Sequence, residues 1–247
     1  MLFNSFNFLV FFPIVVVLYF ALPHRCRWAL LLLASIIFYA AFIPYYVLVM
    51  FMLIIIDYCA GLGIERIAPQ HKKSFLLLSI FSTIAALFVF KYFNFFNANF
   101  TAIAESIGWN YSISMLALAL PIGLSFHTFQ SLSYVIEVYR GTVRAERHFG
   151  IYALYVMFFP QLVAGPIERP QHMLHQYHET HLFEAQRVID GLKRMAWGMF
   201  KKIVVADRLA LFVDAVYAHP GNYGGLHLII ATFFFAFQIY CDFSGYA

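Results

Sequence analysis

Long apolar runs separated by short polar turns set the plan of this chain. Phe6 to Leu22 is the first run, with a kink expected at Pro13. The basic turn Pro23 to Arg27 leads into the second, Trp28 to Phe42, and Pro44 marks the return. Tyr45 to Ile64 is the third and carries Asp57 in its second half. After the polar stretch Glu65 to Lys73 comes the fourth, Ser74 to Phe96, interrupted near its end by Lys91. Asn97 to Ser112 then reads as a polar loop, and Ile113 to Tyr139 as the fifth run, breakable at Pro121 and Gly123. The runs are continuous rather than alternating, so they predict membrane helices and not the strands of a transmembrane barrel.

Beyond Arg147 the pattern changes. Gly150 to Gly165 is apolar but short, and it is broken at Pro160, Gly165, Pro166 and Pro170. A full crossing needs about 20 residues, and basic residues flank this segment on both sides, so it predicts a re-entrant or half-crossing segment. In Phe183 to Ile203, Val188, Leu192, Met195, Ala196, Met199 and Ile203 recur at helical spacing among Arg187, Lys193, Arg194, Lys201 and Lys202. That is the pattern of an amphipathic interfacial helix. Tyr223 to Tyr246 is the last apolar run.

One run carries a polar stripe. In Pro121 to Arg140, His127, Gln130, Ser131, Tyr134 and Glu137 fall within roughly 120° of a helix face at about 100° per residue. Unpaired polar groups are costly in hydrocarbon, so the stripe is expected to face other helices or a wet cavity. It reads either as interhelical hydrogen bonding or as the wall of a site.

Composition supports an all-α polytopic transmembrane bundle: 63% of the residues are hydrophobic and only 11% charged, which no soluble domain requires. The net charge of +4 is loop charge rather than a nucleic-acid surface. Arg25 and Arg27, then Arg66, Lys72 and Lys73, then Arg140, Arg144 and Arg147 mark the first, third and fifth loops. The alternate loops carry only Lys91. Those three loops are therefore expected in the cytoplasm, in a multi-pass protein of the inner (plasma) membrane with its N-terminus outside. Residues 1–247 read as a single membrane domain.

The candidate chemistry is sparse. Cys26, Cys59 and Cys241 are scattered and read as small packing residues. His172, His175, His178 and His181 recur every third residue, which lacks the i,i+4 pair a helix offers a metal; they read as a surface run, and no metal is expected. Asp57 and Asp242 are carboxylates in apolar runs, each a site hypothesis with a structural alternative. Gln161 and Gln238 need partners for their amides. His127 reads as a base, a donor at a site, or a satisfied interhelical histidine.

Four stretches carry a resemblance: MLFNSFNFLVFF with YFALP, LPIGLSFHTFQSLSYVIEVYRG, FFPQLVAGPIERP and QIYCDFSGYA, in this order. Together they resemble the membrane-bound O-acyltransferases, in the bacterial branch typified by the alginate O-acetyltransferase membrane subunit. The D-alanyl transfer protein of teichoic acid modification is a more distant relative. The resemblance covers essentially the whole chain and implies its N-terminal-half character. It implies a ring of helices around a thin core, entered by funnels from both faces. Acyl transfer would run from a cytoplasmic thioester donor such as acetyl-CoA to a hydroxyl of an exported polysaccharide. No bound cofactor is implied. The partners would be the bilayer and periplasmic or extracellular acetyltransferase or polysaccharide-assembly proteins, with no nucleic acid.

The family's invariant histidine follows DFSGY in a tryptophan- and arginine-containing stretch. It is expected beyond Ala247, which would leave these 247 residues inactive by themselves. His127 sits where relatives often have an aromatic residue. His127, Gln130, Tyr134, Gln161, Gln238 and Asp242 would line the funnels. Apart from the resemblance, a transporter or channel, or a non-catalytic membrane scaffold, also fits discontinuous helices with buried polar groups.

Overall fold

The computed structural model describes residues 1, 3–42, 44–109, 113–114, 123–162 and 165–246. Among these the secondary structure is helical, with no strand. Two compact units emerge, one of Met1–Leu22, Ala164–Pro166 and His181–Ala247, the other of Pro23–Val163 and Ile167–Thr180.

In the first unit, α1 (Phe6–Ala21) starts where the Ser5 side chain accepts from the Phe8 amide, the usual way to satisfy a free helix-terminal donor. Pro13 sits inside it. The amphipathic run forms α9 (Ala185–Met199), which passes through a π-helical stretch, Phe200–Ala206, into α10 (Asp207–Ala218). A short turn at Pro220–Asn222 leads to α11 (Gly225–Tyr246), which packs antiparallel to α10 and reaches back to α9. At that end Gly198 meets Gly245, and a Cβ on Gly198 would collide with the Gly245 carbonyl oxygen. Small residues are what allow two helix backbones to approach so closely.

The second unit holds α2 (His24–Ala40), α3 (Tyr46–Arg66), α4 (Lys72–Leu87), α5 (Phe93–Ser106), α6 (Leu124–Arg140), α7 (Phe149–Met157) and α8 (Pro170–Met173). α3, α4 and α6 pack against one another, and α7 packs on α2, α3 and α6. Their core is apolar: Met50, Ile54, Ile64, Leu124, Val135, Leu154 and Met157 are almost fully enclosed. α7 has eight of its nine residues buried, so it is buried all round rather than on one face.

Three helical stretches are long and apolar enough to cross a membrane: Tyr46–Arg66, Pro69–Ser106 and Gly225–Tyr246. Only 11% of the apolar window is buried in each of the last two, so their side chains mostly face outward. Exposed Leu77, Phe81, Ile84, Phe233 and Phe237 suit hydrocarbon, not water.

The polar loop expected from Asn97 is not there. Beyond the π-helical turn Phe88–Tyr92, helix continues to Ser106. Its polar side chains turn back on helix carbonyls: Asn99 donates to Phe95 at 2.7 Å and Thr101 to Asn97 at 2.8 Å. Asn97 itself is buried and donates to the Ile113 carbonyl. Continuous helix from Pro69 to Ser106 spans 38 residues. At about 1.5 Å per residue it is nearly twice as long as a hydrocarbon core of about 30 Å is thick. Pro121 and Asn110 lie outside the described residues. Of the cysteines, Cys241 is buried as a packing residue should be, whereas Cys26 and Cys59 are exposed.

Candidate functional site

The polar stripe of α6 faces protein. His127, Gln130, Ser131 and Tyr134 are buried, while Phe129 on the opposite side is exposed. What they meet is largely the backbone of α7. His127 Nδ1 lies 2.7 Å from the Val156 carbonyl oxygen. A carbonyl only accepts, so Nδ1 carries the hydrogen and Nε2 is left with a lone pair. Gln130 donates to the Tyr155 carbonyl at 2.7 Å and reaches Gln161 Oε1 at 3.4 Å. Gln161 in turn points its amide at Met173 Sδ. The Tyr134 hydroxyl accepts from the Glu146 amide at 2.9 Å, and its ring lies against Tyr152 and over Gly61. A Cβ on Gly61 would come within 2.8 Å of that ring, so glycine is what lets α3 and α6 close here.

Asp57, 1% exposed and at the twelfth position of the 21-residue α3, is the centre of a separate hydrogen-bonded cluster. Ser79 of α4 donates to Oδ1 at 2.5 Å, and Ser131 of α6 donates to Oδ2. Ser131 has one hydrogen, already given to Asp57, so the Tyr152 hydroxyl 3.1 Å away must donate to Ser131. The proton order therefore runs from Tyr152 through Ser131 to Asp57, with Ser79 closing from the other side. Beside it is a cavity of about 10 Å³, lined by Asp57, Thr83, His127, Thr128 and Ser131 with Met50, Leu53, Ile54 and Val156. That is room for one water.

The other two expected site residues stand on α11 in the first unit. Asp242 Oδ1 lies 2.6 Å from Lys202 Nζ, and Lys202 also donates to Asp207 Oδ1 at 2.8 Å. Partial burial weakens the hold of Lys202 on its proton, but the two carboxylates more than offset this and keep it charged. Neighbouring Lys201 donates to the Ser244 carbonyl at 2.8 Å. The Gln238 side-chain oxygen is buried without a hydrogen-bond partner. Of the four spaced histidines, His178 pairs with Glu146 at 2.9 Å and His175 lies near Glu179. Among the described residues no three His, Cys, Asp or Glu side chains converge as metal ligands.

Gln130 and Gln161 thus meet directly, His127 and Tyr134 end on separate backbone groups of the same unit, and Asp242 pairs with Lys202 in the other. Ser79, Thr83 and Tyr152 were not singled out from the sequence. For Ser79 and Thr83 the available signal was their i,i+4 spacing within the apolar part of α4.

No protein-family model matches the chain. Among curated proteins, the probable alginate O-acetylase AlgI of Azotobacter vinelandii is 35% identical over all of this chain and 50% of its own length. That of Pseudomonas putida is 36% identical over the whole chain and 51% of its length. The peptidoglycan O-acetyltransferase of Helicobacter pylori is 30% identical over the whole chain and 52% of its length. The chain therefore spans about half the length of the curated relatives it matches. These alignments run from end to end of the chain, through the apolar helices and the QIYCDFSGYA stretch alike, so the chain is similar over its whole length to about half of the alginate O-acetylases and of the peptidoglycan O-acetyltransferase.

Proposed function

We propose that the protein is a polysaccharide O-acetyltransferase subunit of the inner membrane. It takes an acetyl group from a thioester on the cytoplasmic side and delivers it to a hydroxyl of an exported glycan. The carrying observation is similarity along the whole chain to proteins named for acetylating two different extracytoplasmic glycans, alginate and peptidoglycan. What the two acceptors share is a sugar hydroxyl. Its attack on a thioester needs a base for the proton and donors for the developing oxyanion.

His127 is not that base in this reading. Its Nδ1 is tied to Val156, its Nε2 is buried, and the cavity that the residue helps to line is fit for one water, too small for a sugar hydroxyl and a thioester to meet. The base belongs instead to the family's histidine outside residues 1–247, and these residues alone are expected to be inactive. Gln130, Tyr134 and Gln161 hold the wall of the donor path, and Gln238 and Asp242 are candidates of their own within the first unit. Partners on the outer side are a soluble acetyltransferase or the polysaccharide-assembly machinery.

The test is glycan acetylation in cells whose own gene is deleted and replaced by full-length variants. His127→Phe is expected to retain at least about half the wild-type acetylation, because an aromatic ring fills the same space. Loss of acetylation with normal protein level would make His127 the base and overturn this assignment.

Orientation is a separate expectation. Single cysteines placed in 66–73 or 140–148 should resist an impermeant thiol reagent in intact cells, as cytoplasmic loops do. Labelling at both stretches would invert the topology and put the donor on the wrong side.

A further inference from the structure

We propose that α9 docks on anionic phospholipids, with one face sunk at the acyl boundary and the other held to headgroup phosphates. On a helix, Val188, Ile189, Leu192, Met195, Ala196 and Met199 fall within about 120° of one face of α9. Arg187, Asp190 and Arg194 stand on the opposite face, and Lys193 flanks the apolar one. Little of the protein covers the apolar face among the described residues: Leu192 is 52% exposed and Ile189 46%. An apolar face beside a basic one fits the layer between acyl chains and headgroups.

The place of α9 in its unit agrees with that layer. Gly198, in its last turn, meets Gly245, next to the last residue of α11. The 22 residues of α11 are long and apolar enough to cross a membrane, and most of them face outward. At about 1.5 Å per residue, α11 matches a hydrocarbon core about 30 Å thick, so its end marks a bilayer boundary. Trp197, 61% exposed, stacks on Phe200 with ring centroids 5.4 Å apart. Indoles gather at that depth because the ring is apolar and its N–H is not.

Three cations on α9 are available to phosphates. Arg194 forms no ion pair among the described residues. Arg187 lies 3.7 Å from Glu184, and Lys193 lies 3.5 Å from Asp190. Both pairs are exposed and longer than a charge-assisted hydrogen bond of about 2.8 Å, so they hold their cations weakly. Lys201 and Lys202 are engaged with the Ser244 carbonyl, Asp207 and Asp242 instead. Within α9 itself Arg187, Lys193 and Arg194 stand against Asp190 alone. A zwitterionic lipid offers the same acyl boundary without net charge, so this excess selects negative headgroups.

The experiment is thermal unfolding of the purified full-length protein in detergent micelles carrying phosphatidylglycerol or phosphatidylcholine at equal mole fraction. Phosphatidylglycerol should raise Tm saturably by several degrees, since a ligand that binds only the folded state stabilises it by mass action. Concentrated salt should shrink the rise by screening. Lys193→Gln with Arg194→Gln should cut the rise by at least about half, whereas Lys193→Arg with Arg194→Lys should keep it. Lys72→Gln with Lys73→Gln, in the other unit, should leave it unchanged. In vesicles of phosphatidylglycerol, a nitroxide at position 192 of the same protein should collide with oxygen, which concentrates in hydrocarbon. A nitroxide at 194 should collide with a water-soluble nickel chelate.

Equal rises with the two lipids, or an undiminished rise in Lys193→Gln with Arg194→Gln, overturn the proposal. So does an equal loss of the rise in Lys72→Gln with Lys73→Gln. A label at 192 shielded from both quenchers means that protein covers the face, and overturns it too. The readout involves no acyl transfer, so its failure leaves the functional reading untouched.

Discussion

Replacing Asp57 with leucine is expected to destabilise the full-length protein by up to about 3 kcal/mol. The carboxylate is the common acceptor for Ser79 and Ser131, and Ser131 in turn accepts from Tyr152. Removing it leaves two buried hydroxyls without their acceptor, at about 1 to 3 kcal/mol each. The gain from taking a charge out of the middle of an apolar helix, about 2.5 kcal/mol on insertion scales, offsets only part of the wider damage to the network.

The decisive comparison is the combination Asp57→Leu with Ser79→Ala, Ser131→Ala and Tyr152→Phe. Apolar replacement of all partners together is often nearly neutral, so this variant should recover most of the lost stability. The measurement is thermal unfolding in detergent for the single and combined variants. If the combined variant were as unstable as the sum of its parts, the four residues would not form one network.

Gly198→Val is the second large effect, expected at about 3 kcal/mol, a factor on the order of a hundred in the folding equilibrium. The added side chain points at the Gly245 carbonyl oxygen, and a backbone atom cannot rotate away as a side chain could. The helices must separate, which also draws Lys202 off Asp242 and Lys201 off the Ser244 carbonyl. Gly191, on the same helix, meets nothing within 4 Å, so Gly191→Ala should be neutral or stabilise by up to about 1 kcal/mol from helix propensity alone. Equal Tm losses at the two positions would show that α9 and α11 do not depend on this contact.

Much of the helical plan was legible because hydrophobic run length and helical spacing report directly on membrane helices. The buried stripe of α6 could be found for the same reason: polar side chains at regular intervals in an apolar run must be hidden. Their partners could not be found that way. His127 and Gln130 end on the carbonyls of Val156 and Tyr155, and every residue carries a carbonyl. Nor does a sequence say which helices adjoin, so Ser79 and Thr83 looked like ordinary small residues in α4. The continuation of helix through Asn97 was hidden by composition. Asparagine and threonine suit loops, but here they bond to carbonyls of their own helix instead.

The nine residues of α7 bear on how the protein is made. About 14 Å of helix cannot bridge hydrocarbon about 30 Å thick, so this segment has no stable transmembrane position when it leaves the ribosome. Its enclosure comes from α2, α3 and α6, all of which precede it in the chain. The order of synthesis therefore largely matches the order of need: the helices that enclose α7 precede it, and the Glu168 carbonyl that accepts from Tyr155 follows. A variant that delays assembly of α6 would strand α7 at the membrane surface, where quality-control proteases would meet it first.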